Sequence, residues 1–247
     1  MKDLVSIIMP TYNAYEYLND AIQSILKQSY THWELIIVDD CSTDDTLKLI
    51  DSYSDTRIRV FKNNKNSGPA YSRNVGLENA SGKYVTFLDS DDFISPDKLK
   101  EQLNFMLAND LDMSHGNYYF CDLSGNNIKK IITDEYIDYS CLLKGNQFKI
   151  MTVLIKRERI KDLRFPLIKH EDYAFYLDCL KRIKYSLSQT ERIDSFVRIG
   201  KVSVSSNKIK SAIWTWNIYR KYEKLGLLKS IFYFIHYAYN GFIKHKK

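Results

Sequence analysis

Glycine and proline are scarce in this chain, with nine and four residues among 247. The glycines form neither a G-x-G-x-x-G after the first apolar run nor a G-x-x-x-x-G-K-[ST] anywhere, so no glycine-rich loop cradles phosphate. The four cysteines, Cys41, Cys121, Cys141 and Cys179, are widely spaced without a C-x-x-C pair. That excludes a disulfide framework or zinc site and suits reduced cytosolic thiols. No apolar run reaches the length of a membrane span, and MKDLVSIIMP lacks the long apolar core and cleavage site of a signal peptide. Repeats and low-complexity linkers are absent too. Aromatic residues, by contrast, are abundant: nineteen Tyr and twelve Phe, available for packing, sugar stacking or an interfacial surface. The net charge of +6 suits an acidic ligand or an anionic membrane surface and identifies neither. The length accommodates one large α/β domain with a full core.

The most informative stretch is Tyr84 to Asp92, YVTFLDSDD. Its apolar and β-branched run predicts a buried strand, and four polar residues, three of them acidic, follow at once. Buried strands rarely end in clustered carboxylates unless something positive sits there. The preceding chain repeats the grammar. Strands are predicted at Val5–Met9, Leu35–Val38 and Ile58–Phe61. Helices are predicted over Tyr15–Gln28, from Ser42 and Thr43 to about Tyr53, and over Ala70–Asn79. That alternation predicts a mostly parallel sheet covered by helices, with ligands at the C-terminal strand ends. Further on, Ser95 and Pro96 read as a helix start, Met113–Cys121 and Ile128–Ile132 as a hairpin, and Thr133–Leu143 as a helix. Strands are expected at Met151–Ile155, Tyr185–Leu187 and Phe196–Ile199, with a helix after Lys169–Asp172.

Three strand ends carry ligand-like groups: Thr11–Asn13, Asp39 with Asp40, and Asp89–Asp92. Asp89-Ser90-Asp91 is a D-x-D, whose two carboxylates can bracket a hard cation such as Mg²⁺ or Mn²⁺ that keeps open positions for diphosphate oxygens. Asp40 can accept the imide N–H of uracil, and Tyr12 can stack on the ring or simply pack on the first helix. Arg73 can contact phosphate or pair with the carboxylates. Asp172 is either a general base or an acid at a helix start. His170 reads as a solvated loop residue.

Four segments in this order and spacing resemble glycosyltransferase family 2. They are VSIIMPTYN (Val5–Asn13), WELIIVDDCSTDDT (Trp33–Thr46), SGPAYSRNVGLENASGKYVTFLDSDD (Ser67–Asp92) and KHED (Lys169–Asp172). The resemblance spans roughly residues 4 to 205 and is nearest to enzymes of bacterial capsule, exopolysaccharide or lipopolysaccharide synthesis. It implies a GT-A fold, a Rossmann-like α/β/α sandwich with a nucleotide half over about 1–95 and an acceptor half over about 96–205; the residues beyond it, 206–247, read from their own pattern as a helical, aromatic-rich extension. It also implies an inverting, Mn²⁺- or Mg²⁺-dependent enzyme. The sugar would move from a UDP-sugar to a hydroxyl of a saccharide or lipid-linked saccharide. The residues it implies for nucleotide-sugar binding are Pro10, Tyr12, Asp40, Arg73, Asp89 and Ser90. Asp91 is the implied metal ligand and Asp172 the implied base. Glu171, Arg198 and Ser203 are implied as acceptor or diphosphate contacts.

Two other classes compete. A nucleotidyltransferase needs a basic, glycine-rich loop after the first strand, where this chain reads PTYNAYE. A non-catalytic glycan-binding protein would have no use for both the D-x-D and Asp172. A GDP- or dTDP-sugar is the alternative donor, and nucleic acid is not an expected partner. The tail from Leu227 to Phe242, followed by Lys244, Lys246 and Lys247, has the density of an interfacial helix. Peripheral attachment to the inner membrane face, a homodimer interface and an intramolecular cover are all open to it. The expected location is cytoplasmic.

Overall fold

Alternate residues of the first strands go to opposite faces of one sheet, and this builds two cores. In a computed structural model, which describes residues 3–200 and 208–246, β1 (Val5–Thr11), β2 (Trp33–Asp39), β3 (Ile58–Lys62) and β4 (Tyr84–Phe87) lie in the order β3-β2-β1-β4, all parallel. Ile7, Met9, Leu35 and Ile37 face one way and pack with Leu18, Ala21, Ile22 and Ile25 of α1 (Tyr15–Leu26). Ile8, Ile36, Val38 and Val85 face the other way, toward Ala70 and Leu77 of α3 (Pro69–Asn79). Burial at every position of β1 and β2 explains why they read as unbroken apolar runs. β1 runs two residues further than its apolar run, through Pro10. Ile8 accepts the Leu88 N–H, so the Pro10 nitrogen points to that same side, beyond the last residue of β4 that pairs.

α2 (Thr46–Asp51) begins later than its sequence suggests, because Ser42, Thr43 and Asp44 are engaged elsewhere. Ser42 Oγ accepts the Asn13 N–H (3.0 Å), Thr43 N–H donates to Asn13 Oδ1 (2.8 Å), and Asp44 receives the N–H groups of Thr46 (3.0 Å) and Tyr15 (3.4 Å). The turn that carries Tyr12 is thereby braced against the end of β2.

The second half widens the same sheet with mixed strand directions. β9 (Leu154–Lys156) is antiparallel to both β4 and β6 (Met113–Cys121). β10 (Tyr185–Arg198) is parallel to β6 and antiparallel to β5 (Phe93–Ile94) and β8 (Tyr136–Asp138). β7 (Asn127–Ile131) returns along β6 as the expected hairpin. The sheet is thus parallel in the first half and mixed beyond it.

Several local expectations give way here. Helix α4 (Lys98–Ala108) starts after Pro96, because Ser95 Oγ donates to Asp194 (2.6 Å) and Asp97 occupies the cap position. Residues 133–135 are irregular and 136–138 form β8, where a helix is expected. Asn117 Oδ1 accepts the Thr133 N–H (2.9 Å) and His115 bonds the Asp134 carbonyl (2.8 Å); Asp138 then caps the short α5 (Tyr139–Leu143). Ile150–Thr152 is a 3₁₀ turn closed by Thr152 on Lys149, which shortens the expected strand to β9. The two late strands are one, with register shifts between Ser188 and Ser195.

α6 (Glu171–Ile183) buries Tyr173, Phe175, Tyr176 and Leu177 on the α3 side of the sheet, where Phe165 and Phe175 stack at 3.9 Å. The C-terminal extension docks onto it through α7 (Lys208–Asn217), a π-helical turn (Ile218–Tyr222) and α8 (Leu227–Lys246). Tyr219 is fully buried and donates to the Leu143 carbonyl (2.6 Å); Glu223 pairs with Lys181 (2.8 Å). The extension therefore shares the core of the sheet domain. The expected boundary near residue 205 lies outside the described residues.

Lys98 is a buried ammonium whose Nζ donates to Thr86 Oγ1 (3.1 Å). Burial pushes its pKa down to about 7, against the pull of Asp194. Between pH 7 and 10.5 the unfolded chain keeps a proton that the folded chain has released, so this group makes stability rise with pH across that window. Its cost is present in full below pH 7. Lys98→Met should therefore melt above wild type at pH 7, with the gap closing toward pH 10. Thermal melts at both pH values check this; a constant gap would show that Lys98 is charged in the fold.

Candidate active site

The C-terminal ends of β1, β2 and β4 open onto one cavity of about 520 Å³. Pro10, Tyr12, Asp40, Arg73, Asp89, Ser90 and Asp91 all line it, although they come from separate segments of the first half of the chain. Tyr12 is 48% exposed on the cavity wall, so its ring is available to a ligand face. Asp40 is buried and held by the loop that follows β3. It accepts from Asn63 Nδ2 (2.7 Å), from the N–H of Ser67 (2.9 and 3.0 Å) and from the N–H of Gly68 (2.7 Å). Gly68 has φ of +87°, a conformation that glycine adopts without strain, and this turns its N–H onto the carboxylate. Neighbouring Asp39 bonds the Ser42 N–H (3.1 Å) through one oxygen; the other is buried with no partner.

The D-S-D-D turn is built by Arg198 at the end of β10. Its backbone N–H donates to Asp92 (2.8 Å), while its guanidinium donates to the Asp91 carbonyl (3.0 Å) and to Asp20 (2.6 Å). That guanidinium lies over the rings of Tyr17 (5.1 Å) and Phe93 (4.9 Å). Arg198 lines a separate cavity with Asp20 and Phe93, so its described contacts position the turn. Ser203 lies outside the described residues. Asp91 is exposed as a residue, yet the walls around its carboxyl desolvate it and the Asp89 charge adds to this, raising its pKa to about 6. Burial, with Asp91 and Asp89 adding, pushes Asp92 up well above the ordinary carboxylate range.

Arg73 joins the D-x-D to the acidic pair at the start of α6. It donates to Asp89 Oδ1 (2.8 Å) and to Glu171 Oε1 (2.8 Å), over the face of Phe165 at 5.5 Å. Burial opposes its charge, but Asp89 and Glu171 together strengthen its hold on the proton, and Asp172 adds to them. Its Nε is buried without a partner. Of the two uses open to Arg73, pairing with carboxylates is the one the geometry displays.

Asp172 lines a second cavity of about 660 Å³, formed by β6, β7, the loop before Ile150, α6 and the inner faces of α7 and α8. Asn146 Nδ2 donates to its Oδ2 at 3.3 Å. His170 shares this cavity and is half-buried, not solvated as expected. It caps α6 at φ +59°, contacts the Trp214 ring edge (5.3 Å) and bonds Ser211 Oγ (3.3 Å). Burial lowers its pKa against the pull of Asp172 and Glu171. No sequence pattern marks Asn63, Asn146, Lys149 or the Ser67–Gly68 amides. They are ordinary loop residues until the fold brings them to a carboxylate or a cavity.

Two carboxylates on one turn, with an open cavity beside them, fit a Mg²⁺- or Mn²⁺-type ion. Among the described residues no three His, Cys, Asp or Glu side chains converge to enclose a metal. An ion here would be held by Asp91, with Asp89 already paired to Arg73, and by oxygens of its ligand; Mg²⁺ sites are often completed in that way by substrate phosphates.

The sequence and the fold both have known counterparts. Residues 6–171 match the family described as "Glycosyl transferase family 2". A glycosyltransferase of Haemophilus influenzae is 64% identical over 99% of this chain and 98% of its own length. The Escherichia coli UDP-Glc:alpha-D-GlcNAc-diphosphoundecaprenol beta-1,3-glucosyltransferase WfgD is 36% identical over 98% of this chain and 95% of its own. The crystal structure of S. aureus TarS 1-349 in complex with UDP-GlcNAc superposes with a TM-score of 0.72 at 25% identity, covering 84% of this chain and 61% of that one. The two-layered helical cover, the strand-end carboxylates and the GT-A-like sheet thus have one explanation: the chain is a glycosyltransferase and belongs to glycosyl transferase family 2.

Proposed function

We propose that the chain transfers a hexose or N-acetylhexosamine from a UDP-sugar to a hydroxyl of a diphosphate-lipid-linked saccharide, with inversion, in bacterial surface polysaccharide synthesis. The observation that carries this is the Arg73 bridge. It ties the D-x-D of the donor-side cavity to the Glu171–Asp172 pair of the second one. In this reading Tyr12 stacks on uracil, with Pro10 beside it. Asp40, steadied by its loop donors, lines the cavity and accepts the imide N–H in place of one arm of the Ser67 N–H bond that its two oxygens share. Asp89 and Ser90 contact the ribose and sugar side. Asp172 takes the proton of the acceptor hydroxyl as its oxygen attacks the anomeric carbon opposite the diphosphate, and a single displacement inverts the configuration. A Mg²⁺ or Mn²⁺ bound at Asp91 would supply positive charge for the leaving diphosphate. The WfgD relative, named for UDP-Glc and a GlcNAc-diphospholipid, supports the same donor and acceptor classes here.

The test is nucleoside diphosphate release and donor binding with UDP-, GDP-, dTDP- and CMP-sugars, with Mn²⁺, Mg²⁺ or chelator. Metal-dependent turnover of one UDP-sugar is expected, with kcat about 10²-fold or more lower in Asp91→Ala. Turnover of a GDP- or dTDP-sugar alone would contradict the donor assignment, and full activity in chelator would contradict the role of Asp91.

The extension supports a peripheral place on the inner membrane face. No helix among the described residues is long and apolar enough to cross a membrane. However, α8 turns Leu228, Ile231, Phe232, Ile235 and Tyr239 outward at i, i+3, i+4, i+7 and i+11, while Tyr233, Phe234 and Tyr237 face inward. Flotation with anionic vesicles should be lost in Ile231→Glu/Ile235→Glu. Equal flotation of variant and wild type would refute membrane contact through this face, and a dimer in sedimentation that the variant dissolves would assign the stripe to a second copy.

A further inference from the structure

The cavity that holds Asp172 contains a positive charge with no acidic partner at ion-pair distance among the described residues. Lys149 is half-buried on its wall, with Nζ 5.6 Å from the centre of the Phe120 ring. Its backbone is fixed by Thr152, whose Oγ accepts the Lys149 N–H (3.2 Å) and whose N–H and hydroxyl donate to the Lys149 carbonyl (2.9 and 2.8 Å). The ammonium therefore rests against an aromatic face on a rigid turn, and its charge acts on His170, which lines the same cavity. It also reaches the buried Asp92. A partly desolvated ammonium of this kind gains most from an anion that enters with the ligand.

The anion belongs to the acceptor. The donor diphosphate has its own place at the D-x-D, in the other cavity. The hydroxyl to be deprotonated must lie at Asp172, beside Asn146. A sugar whose hydroxyl meets Asp172 would extend its anomeric substituent along the same walls, and a volume of about 660 Å³ suits a monosaccharide with a charged substituent. We infer that Lys149 binds the phosphate groups of an acceptor that is a glycosyl diphosphate, and so selects charged acceptors over neutral glycosides. This rests on the reading of Asp172 as the base for the acceptor hydroxyl. Phe120 would contribute the apolar backing and Tyr237, from the inner face of α8, the far wall.

The test compares two acceptors that share a sugar: an α-GlcNAc diphosphate ester of a short alkyl alcohol and the neutral octyl α-glycoside of GlcNAc. Steady-state transfer would be measured for wild type, Lys149→Gln and Lys149→Arg, with melting temperatures as a control on folding. Lys149→Gln should raise KM for the diphosphate ester by about 10-fold or more with kcat within about 3-fold, and leave KM for the neutral glycoside unchanged. Lys149→Arg should recover most of the loss. An equal fall on both acceptors, or no change on either, would overturn the assignment while leaving the transfer reaction standing. A wild type that binds UDP-sugar yet transfers to neither acceptor would instead overturn the acceptor reading itself, and the role of Lys149 with it.

Discussion

Replacing Asp172 by Asn is expected to lower kcat for sugar transfer by about 10²- to 10⁴-fold, the range a positioned general base contributes. The change keeps the shape of the side chain, and its Asn146 neighbour can still hydrogen-bond to it through the amide oxygen. UDP-sugar affinity should stay within a few-fold, because Asp172 lines the second cavity and the donor candidates line the first. The loss should therefore appear in kcat and not in donor binding. Stopped assays for transfer, paired with calorimetric donor titration, separate the two. Near-normal turnover in a folded Asp172→Asn chain would remove Asp172 from the chemistry and reduce it to an acid at a helix start.

Arg73→Met is expected to have the largest effect on both stability and activity. It removes a buried guanidinium and leaves Glu171, with a side chain 18% exposed, and Asp89, at 35%, without their shared partner. Breaking a buried pair by removing one member costs about 3–5 kcal/mol. Asp89 is the more solvated and accounts for the smaller share. The D-S-D-D turn and the start of α6 should then separate, with transfer falling below detection. Arg73→Lys keeps the charge but cannot fork to both carboxylates, so it should fold and lose much of the rate. Adding Glu171→Gln to Arg73→Met should restore part of the stability and none of the rate. Denaturant melts over this double-mutant cycle measure the coupling. Additive losses would mean that Arg73 and Glu171 act independently.

These expectations rest on features of unequal legibility in the sequence. The ends of β1, β2 and β4 are readable because burial on both faces of a parallel sheet forces uninterrupted apolar runs, and polar groups directly after such a run are conspicuous. Their convergence follows from topology, since parallel neighbours end on the same edge. The Arg73–Glu171 pair joins residues 98 apart and leaves no local pattern. The cage around Asp40 is largely backbone, and amides have no signature in a sequence. In the second half two strands are too short to show a period. β5 has two residues and β9 three, and both are set by pairing with distant partners. Residues 133–138 show the opposite failure: their helical spacing is overridden by the bond that the Thr133 N–H makes to Asn117 Oδ1 and by the bond between His115 and the Asp134 carbonyl. His170 escapes a sequence reading for a related reason, because the helix that covers it, α7, comes from the far end of the chain.

The proposed reaction is a single inverting displacement between the two cavities that Arg73 links. Its most direct test is the product itself: UDP-glucose, whose anomeric carbon is α-linked, is incubated with Mn²⁺ and an α-GlcNAc diphosphate ester, and the new linkage is read by proton NMR. One UDP released per disaccharide formed and a β-configured glycoside are expected, with both signals lost in Asp172→Asn. An α-configured product, or a β-product formed equally well by Asp172→Asn, would contradict it.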